Sequence, residues 1–153
     1  VAHGSLHSMT DGTIDTLRRI LFATLAIAAA GTEAELLLLG HFEDWKQYGP
    51  LILLALVMGV QGWFLATRSA ASIRTLRAVM WLCIASGILG VYFHVKGNLE
   101  FELEMTPAEA GWVLWREVLT GATPVLAPGA MVQLGLLGLA WAFRHPVVGR
   151  PRA

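Results

Sequence analysis

Glu33, Glu35, His41 and His94 are the residues whose types and placement could do chemistry in this sequence. Three of them fall in Gly31-Thr32-Glu33-Ala34-Glu35-Leu36-Leu37-Leu38-Leu39-Gly40-His41, where two carboxylates precede a leucine run in a very apolar part of the chain. Carboxylates and imidazoles together can hold a divalent cation, with Glu33, Glu35 and His94 as the candidate ligands. The same groups can relay a proton, or pair with one another and nothing else. His41 and His94 could also serve as axial haem ligands. The spacing carries no HExxH helix and no CxxCH attachment motif.

The elements that must position these groups are apolar runs. Four segments carry almost no charge: Ile20 to Phe42, Gly49 to Thr67, Ala78 to Val95, and the stretch from Val125 to Phe143. A membrane-spanning helix needs about 20 apolar residues. Each run therefore predicts a span, placed over 20–42, 49–67, 78–95 and 125–143. Counted from Arg19 and Arg77 at about 1.5 Å per residue, Glu33, Glu35 and His94 lie roughly 21 to 26 Å deep. That is the outer part of a hydrocarbon core about 30 Å thick. A carboxylate exposed to lipid there costs on the order of 2 to 4 kcal/mol, so it should face protein, find a partner or stay protonated. Glu33 and His41 are about 80° apart around a helix and could share a cleft, whereas Glu35 points elsewhere. A polar clasp joining Glu33 or Glu35 to His94 or Lys96 is the expected arrangement. Gln61 and Gln133, inside the second and fourth spans, are expected to hydrogen-bond across helices.

Composition supports a lipid solvent. The chain of 153 residues is 56% hydrophobic and only 14% charged, with a mean hydropathy of +0.60; soluble domains carry roughly a quarter charged residues. The net charge of zero hides an asymmetry. Arg18, Arg19, Arg68, Arg74, Arg77, Arg144, Arg150 and Arg152 flank one side of the runs, and Glu43, Asp44, Glu100, Glu102, Glu104, Glu109 and Glu117 the other. The positive-inside rule then puts both termini in the cytoplasm. Trp63, Trp81 and Trp141 read as an inner aromatic belt, and Trp45, Tyr48, Tyr92, Trp112 and Trp115 as an outer one. Cys83 has no partner for a disulfide. Helix contacts should use small residues: Ala26, Ala30 and Ala34; Gly59 and Gly62; Cys83 with Gly87 and Ser86 with Gly90; Gly135 and Gly138.

The outer connection, 97–121, is long for a helical bundle. From Leu99 to Met105 apolar residues alternate with Glu100, Glu102 and Glu104, which predicts a half-buried extended segment bearing an acidic ladder. Thr106-Pro107-Ala108-Glu109 then reads as a capped helix start, with the helix running to about Thr120 and stopped by Gly121. Trp112, Trp115 and Leu119 share one face of it, as in a helix lying among lipid headgroups. His145, before Pro146, reads as an interfacial residue.

The expected fold is an all-α integral membrane protein: a four-transmembrane-helix bundle, N-in and C-in, whose outer loop holds a short extended segment and an interfacial helix. Residues 1–15 form a cytoplasmic tail, 16–143 the membrane domain and 144–153 a second cytoplasmic tail. Residues 1–8, with His3 and His7, precede Met9, lack periodicity and are set aside as a segment foreign to the fold. Arg18-Arg19, the apolar run and Ala28-Ala29-Ala30 resemble a secretory signal with its small-residue cleavage site, but the segment is kept as a membrane helix. No phosphate loop, zinc-protease helix or Ser/His/Asp pattern is present, and the basic patches speak for topology rather than nucleic acid. The expected role is a small accessory or structural subunit of the bacterial inner membrane, contacting lipid and other membrane chains or itself. The alternatives are a metal- or cation-binding protein, with a divalent ion at the Glu/His cluster, and an enzyme acting on lipid or quinone. Bound lipid is expected in each case.

Overall fold

The computed structural model describes residues 2–121 and 123–149, with side chains within 12–121 and 123–148. The described residues form helices joined by turns, with no strand among them. The helices are α1 (Ala2–Leu38), α2 (Tyr48–Thr67), α3 (Ala70–Met105), α4 (Gly111–Thr120), α5 (Gly129–Ala142) and the single turn α6 (Pro146–Gly149).

Local chemistry sets the boundaries. Gly40 ends α1 at φ +65°, a left-handed conformation that costs glycine little. The His41 N–H then reaches the Leu36 carbonyl (2.9 Å) and the Gly40 N–H the Leu37 carbonyl (3.1 Å), the paired bonds of a Schellman ending. This stops α1 short of the expected Phe42. Before α2, Asp44 and Gln47 form a capping box around a short 3-10 turn, Trp45–Gln47. Arg68, left-handed at φ 48°, closes α2 by donating to the Phe64 carbonyl, and the Ser69 side chain caps α3 through the Ser72 N–H.

Three helices are long and apolar enough to cross a membrane: Gly12–Leu38, Trp45–Thr67 and Ala70–Met105. The last has 36 residues, about 54 Å of helix, far more than the roughly 30 Å of a hydrocarbon core. The fourth expected span is shorter than predicted. Only the 14 residues of α5 are helical, about 21 Å. The chain from Pro124 to Pro128 instead makes successive tight turns, Ala127 N–H to Pro124 O (3.1 Å) and Gly129 N–H to Leu126 O (2.9 Å).

α1 packs on α2 and α5, and α3 on α2 and α5, around a core containing Leu25, Leu54, Val57, Ile73, Leu76, Met80 and Leu134. The tightest seam joins α3 to α5. A Cβ built on Gly87 would lie 2.8 Å from Pro128 O and 2.9 Å from Val132 N, and one on Gly135 would lie 2.7 Å from Met80 O. Backbone thus touches backbone at the small residues expected of α3 and α5. Elsewhere the expectation fails. Nothing lies within 4 Å of a Cβ on Gly59 or Gly62, and Ala30 and Ala34 are exposed while Ala29 is buried. A four-residue spacing marks a stripe, not the side on which it lies.

Two predictions for the outer connection are corrected. Leu99–Met105 is not extended; it continues α3 as helix. An isolated strand would leave its backbone groups unpaired, whereas helix continuation satisfies them and lets Glu100 reach Lys96 at 3.4 Å, one turn back. Thr106 does not cap α4, because both its N–H (2.8 Å) and its hydroxyl (2.9 Å) are spent on Glu102 O, ending α3. α4 starts at Gly111 after an Ala110 that makes no side-chain cap, and it ends at Thr120 before Gly121 as expected. It folds back along the outer part of α3.

Candidate functional site

The polar groups brought together by the fold lie at the end of the molecule where the chain between α4 and α5 leaves helical geometry. Carbonyls in such a segment lack intrahelical donors, and at membrane depth they must be satisfied by protein. α3 supplies the donors. Asn98, 3% exposed, donates through Nδ2 to Val118 O and Thr123 O, both at 2.9 Å, and accepts through Oδ1 from the Thr123 N–H (3.2 Å) and the Thr123 hydroxyl. One turn deeper, His94 Nδ1 lies 2.9 Å from Pro124 O. A carbonyl only accepts, so Nδ1 carries the proton. His94 and Asn98 thus clamp Val118, Thr123 and Pro124 onto α3.

His41, turned back by the Schellman ending, sits near enough to feel His94. Burial, and then the charge of His94, hold its imidazole below the ordinary histidine pKa. Lys46 follows in the same loop with its ammonium 5.3 Å above the Phe93 ring. The α1–α2 connection therefore leans on α3 beside the clamp.

The two glutamates part company. Glu33 is half-buried on the inward face of α1, with Oε2 enclosed and without a hydrogen-bond partner. Glu35 is exposed in the last turn before Leu38. No hydrogen bond or ion pair among the described residues joins either one to His41, His94 or Lys96. The expected clasp of Glu33 or Glu35 with His94 or Lys96 is not formed among the described residues; His94 and Asn98 instead bond backbone groups of α4 and of the α4–α5 connection. Among the described residues, no three His, Cys, Asp or Glu side chains are grouped to hold a metal ion.

Gln61, 3% exposed, bonds across helices as expected, from Nε2 to Phe22 O at 3.1 Å. Gln133 is exposed on α5 and makes no such bond. The acidic ladder is broken up by the helix: Glu100 and Glu104, four residues apart, are exposed, while Glu102 is half-buried. Trp112, Trp115 and Leu119 are exposed together on α4, and Phe101, Leu103 and Met105 on the adjoining stretch of α3.

A second polar centre, at the opposite end where α5 finishes, was not legible beforehand. Trp141 is buried rather than part of an interfacial belt. It packs on Phe22 (5.1 Å between centroids), Phe64 (4.9 Å) and His145 (4.9 Å). His145 is itself buried; burial, then the charges of Arg18, Arg77 and Arg68, push its pKa down, with Asp15 opposing weakly. Arg77 donates to Ala142 O and Arg18 to Arg144 O (3.3 Å), so cations close the C-terminal end of α5 where its dipole is negative. The only sequence signal was His-Pro directly after an arginine.

No protein-family model, curated protein or solved structure matches this chain.

Proposed function

We propose that this chain is a small multi-span protein of the bacterial inner membrane that acts as an accessory subunit, docking other membrane chains through its outer helical hairpin. In this reading α1, α2, α3 and the turn-plus-helix 124–142 form a four-helix bundle with both termini inside. The observation that carries it is the hairpin made by the outer part of α3 and α4. With Arg77 at the inner boundary, about 20 residues of α3 cross the core and the stretch beyond Lys96 stands outside it. There Trp112 is 76% and Met105 65% exposed, while the buried Asn98 ties α3 to α4 through the Val118 carbonyl. Large apolar side chains on a fixed outer element are what a docking surface uses.

The test is purification from native membranes in mild detergent, with the unaltered chain beside a Trp112→Glu/Met105→Glu variant. A membrane protein that co-purifies in fixed ratio with the former and not with the latter supports the reading. A strictly monomeric, partner-free chain overturns it.

One observation favours a second reading, movement of protons or small cations: the unpartnered, enclosed Oε2 of Glu33 in an apolar helix. Proteoliposomes with an internal pH dye decide it. Proton leak that Glu33→Gln abolishes supports it, and an equal leak in both refutes it.

A further inference from the structure

Between α3 and α5, at the inner end, an open groove of about 710 Å³ is lined by Arg77, Trp81, Leu139, Phe143, Arg144 and His145 among others. Arg77 and Arg144 both line it, and no acidic side chain does. Trp81 and Phe143, both exposed, and Leu139 continue as apolar wall. Burial and the surrounding arginines keep His145 neutral at physiological pH, so the charge of the groove is guanidinium charge.

Arg77 is held in place. It reaches across to the Ala142 carbonyl, which uses part of a five-donor guanidinium and leaves further N–H groups on a side chain already fixed. Arg144, two residues past the end of α5, is in a left-handed conformation (φ 42°), its guanidinium 5.5 Å over the Phe143 ring. One guanidinium from α3 and one from the turn after α5, beside an apolar trough, match an anion that carries hydrocarbon. Guanidinium pairs well with phosphate, for which its planar donors are suited, and basic pockets between membrane helices on the positively charged side recognise anionic headgroups.

We infer that this groove is a binding site for one anionic glycerophospholipid, its phosphate held by Arg77 and Arg144 and the start of its acyl chains lying along Trp81, Leu139 and Phe143. The site rests on the membrane reading but not on the docking hairpin, so loss of the hairpin's partners leaves it intact. It differs from general annular lipid in requiring particular arginines. Arg74, exposed one turn nearer the start of α3, has the same charge but does not line the groove.

The experiment is native mass spectrometry of the full chain, released from mixed micelles containing equal phosphatidylglycerol and phosphatidylcholine. The expected result is one phosphatidylglycerol retained in preference to phosphatidylcholine. Arg144→Gln should weaken that retention about fivefold to tenfold, as removal of one basic contact near a membrane surface does. Arg74→Gln should leave it unchanged. Arg77→Gln should abolish it, and because that variant also uncaps α5, Arg144→Gln carries the test. Equal retention of the two lipids overturns the site while leaving the membrane reading standing. So does an equal loss in Arg74→Gln and Arg144→Gln, which would make the attraction diffuse. Displacement of the lipid by millimolar glycerophosphate would assign the pocket to a soluble phosphoester and likewise overturn the lipid.

Discussion

Replacing Asn98 with leucine, which is close in size and makes no hydrogen bond, should loosen the outer hairpin without unfolding the helices beneath it. The magnitude follows from the geometry. Asn98 makes four hydrogen bonds to Val118 and Thr123 from a side chain only 3% exposed. A typical net contribution is about 1 kcal/mol per bond, and a buried group left unsatisfied costs about 1 to 3 kcal/mol. Water can reach the outer end once the hairpin shifts, so the loss should fall at about 2 to 4 kcal/mol rather than at the simple sum. That is roughly a 30- to 700-fold rise in local opening. Hydrogen exchange on the full chain in nanodiscs reads it directly. Amides of α4 and of Gly121 to Val125 should lose protection by that factor, while those in the middle of α2 and α3 keep theirs. Unchanged protection in α4 would refute the reasoning, because the clamp would then carry no energy. Equal loss along every helix would refute it too, since the effect would be global.

The α3–α5 seam makes a paired prediction: Gly135→Ala should destabilise the detergent-solubilised protein by about 1 to 3 kcal/mol through overpacking against Met80 O, whereas Gly62→Ala should stabilise it by up to about 1 kcal/mol through helix propensity. Thermal unfolding of the two variants checks the opposite signs. His145 makes a pH prediction. Its folded pKa lies below the unfolded value, so the unfolded chain takes up the proton first; stability is fully present above about pH 6.5 and declines as the pH falls through that value towards the folded pKa. His145→Phe, which keeps an aromatic ring against Trp141 and Phe64, should flatten that decline when Trp141 fluorescence is followed from pH 8 to 5. Glu33→Leu should raise the midpoint of thermal unfolding, because it removes a carboxylate oxygen that has no partner; a lowered midpoint would mean that Glu33 is paired in the membrane.

What could be read from the chain follows from how each signal adds up. Transfer of apolar residues sums along a helix, so the runs over 49–67 and 78–95 were visible, as was the close approach at Gly87 and Gly135. The end of α4 at Gly121 was visible because one glycine sufficed to mark it. The alternation from Leu99 to Met105 misled, because a period of two describes side chains, whereas the backbone of α3 needed only to continue its own hydrogen bonding. Thr106 misled because one hydroxyl can end a helix as well as begin one, and its carbonyl partner decided which. Asn98 was missed for a different reason. Its partners are backbone atoms 20 and 25 residues away, and backbone carbonyls leave no mark in a sequence. Glu33 and Glu35, two residues apart, were rightly placed on different faces, yet neither depth nor spacing could show that Glu33 would stay unpaired.

The claim beneath all of this is that the hairpin and the arginine-rich end lie on opposite sides of a membrane. Single cysteines at Glu104→Cys and Thr75→Cys, both at exposed positions, test it with a membrane-impermeant maleimide; Cys83 is buried and should stay silent. In intact cells position 104 should label at once and position 75 only after permeabilisation. Labelling of both from the same side would contradict the account.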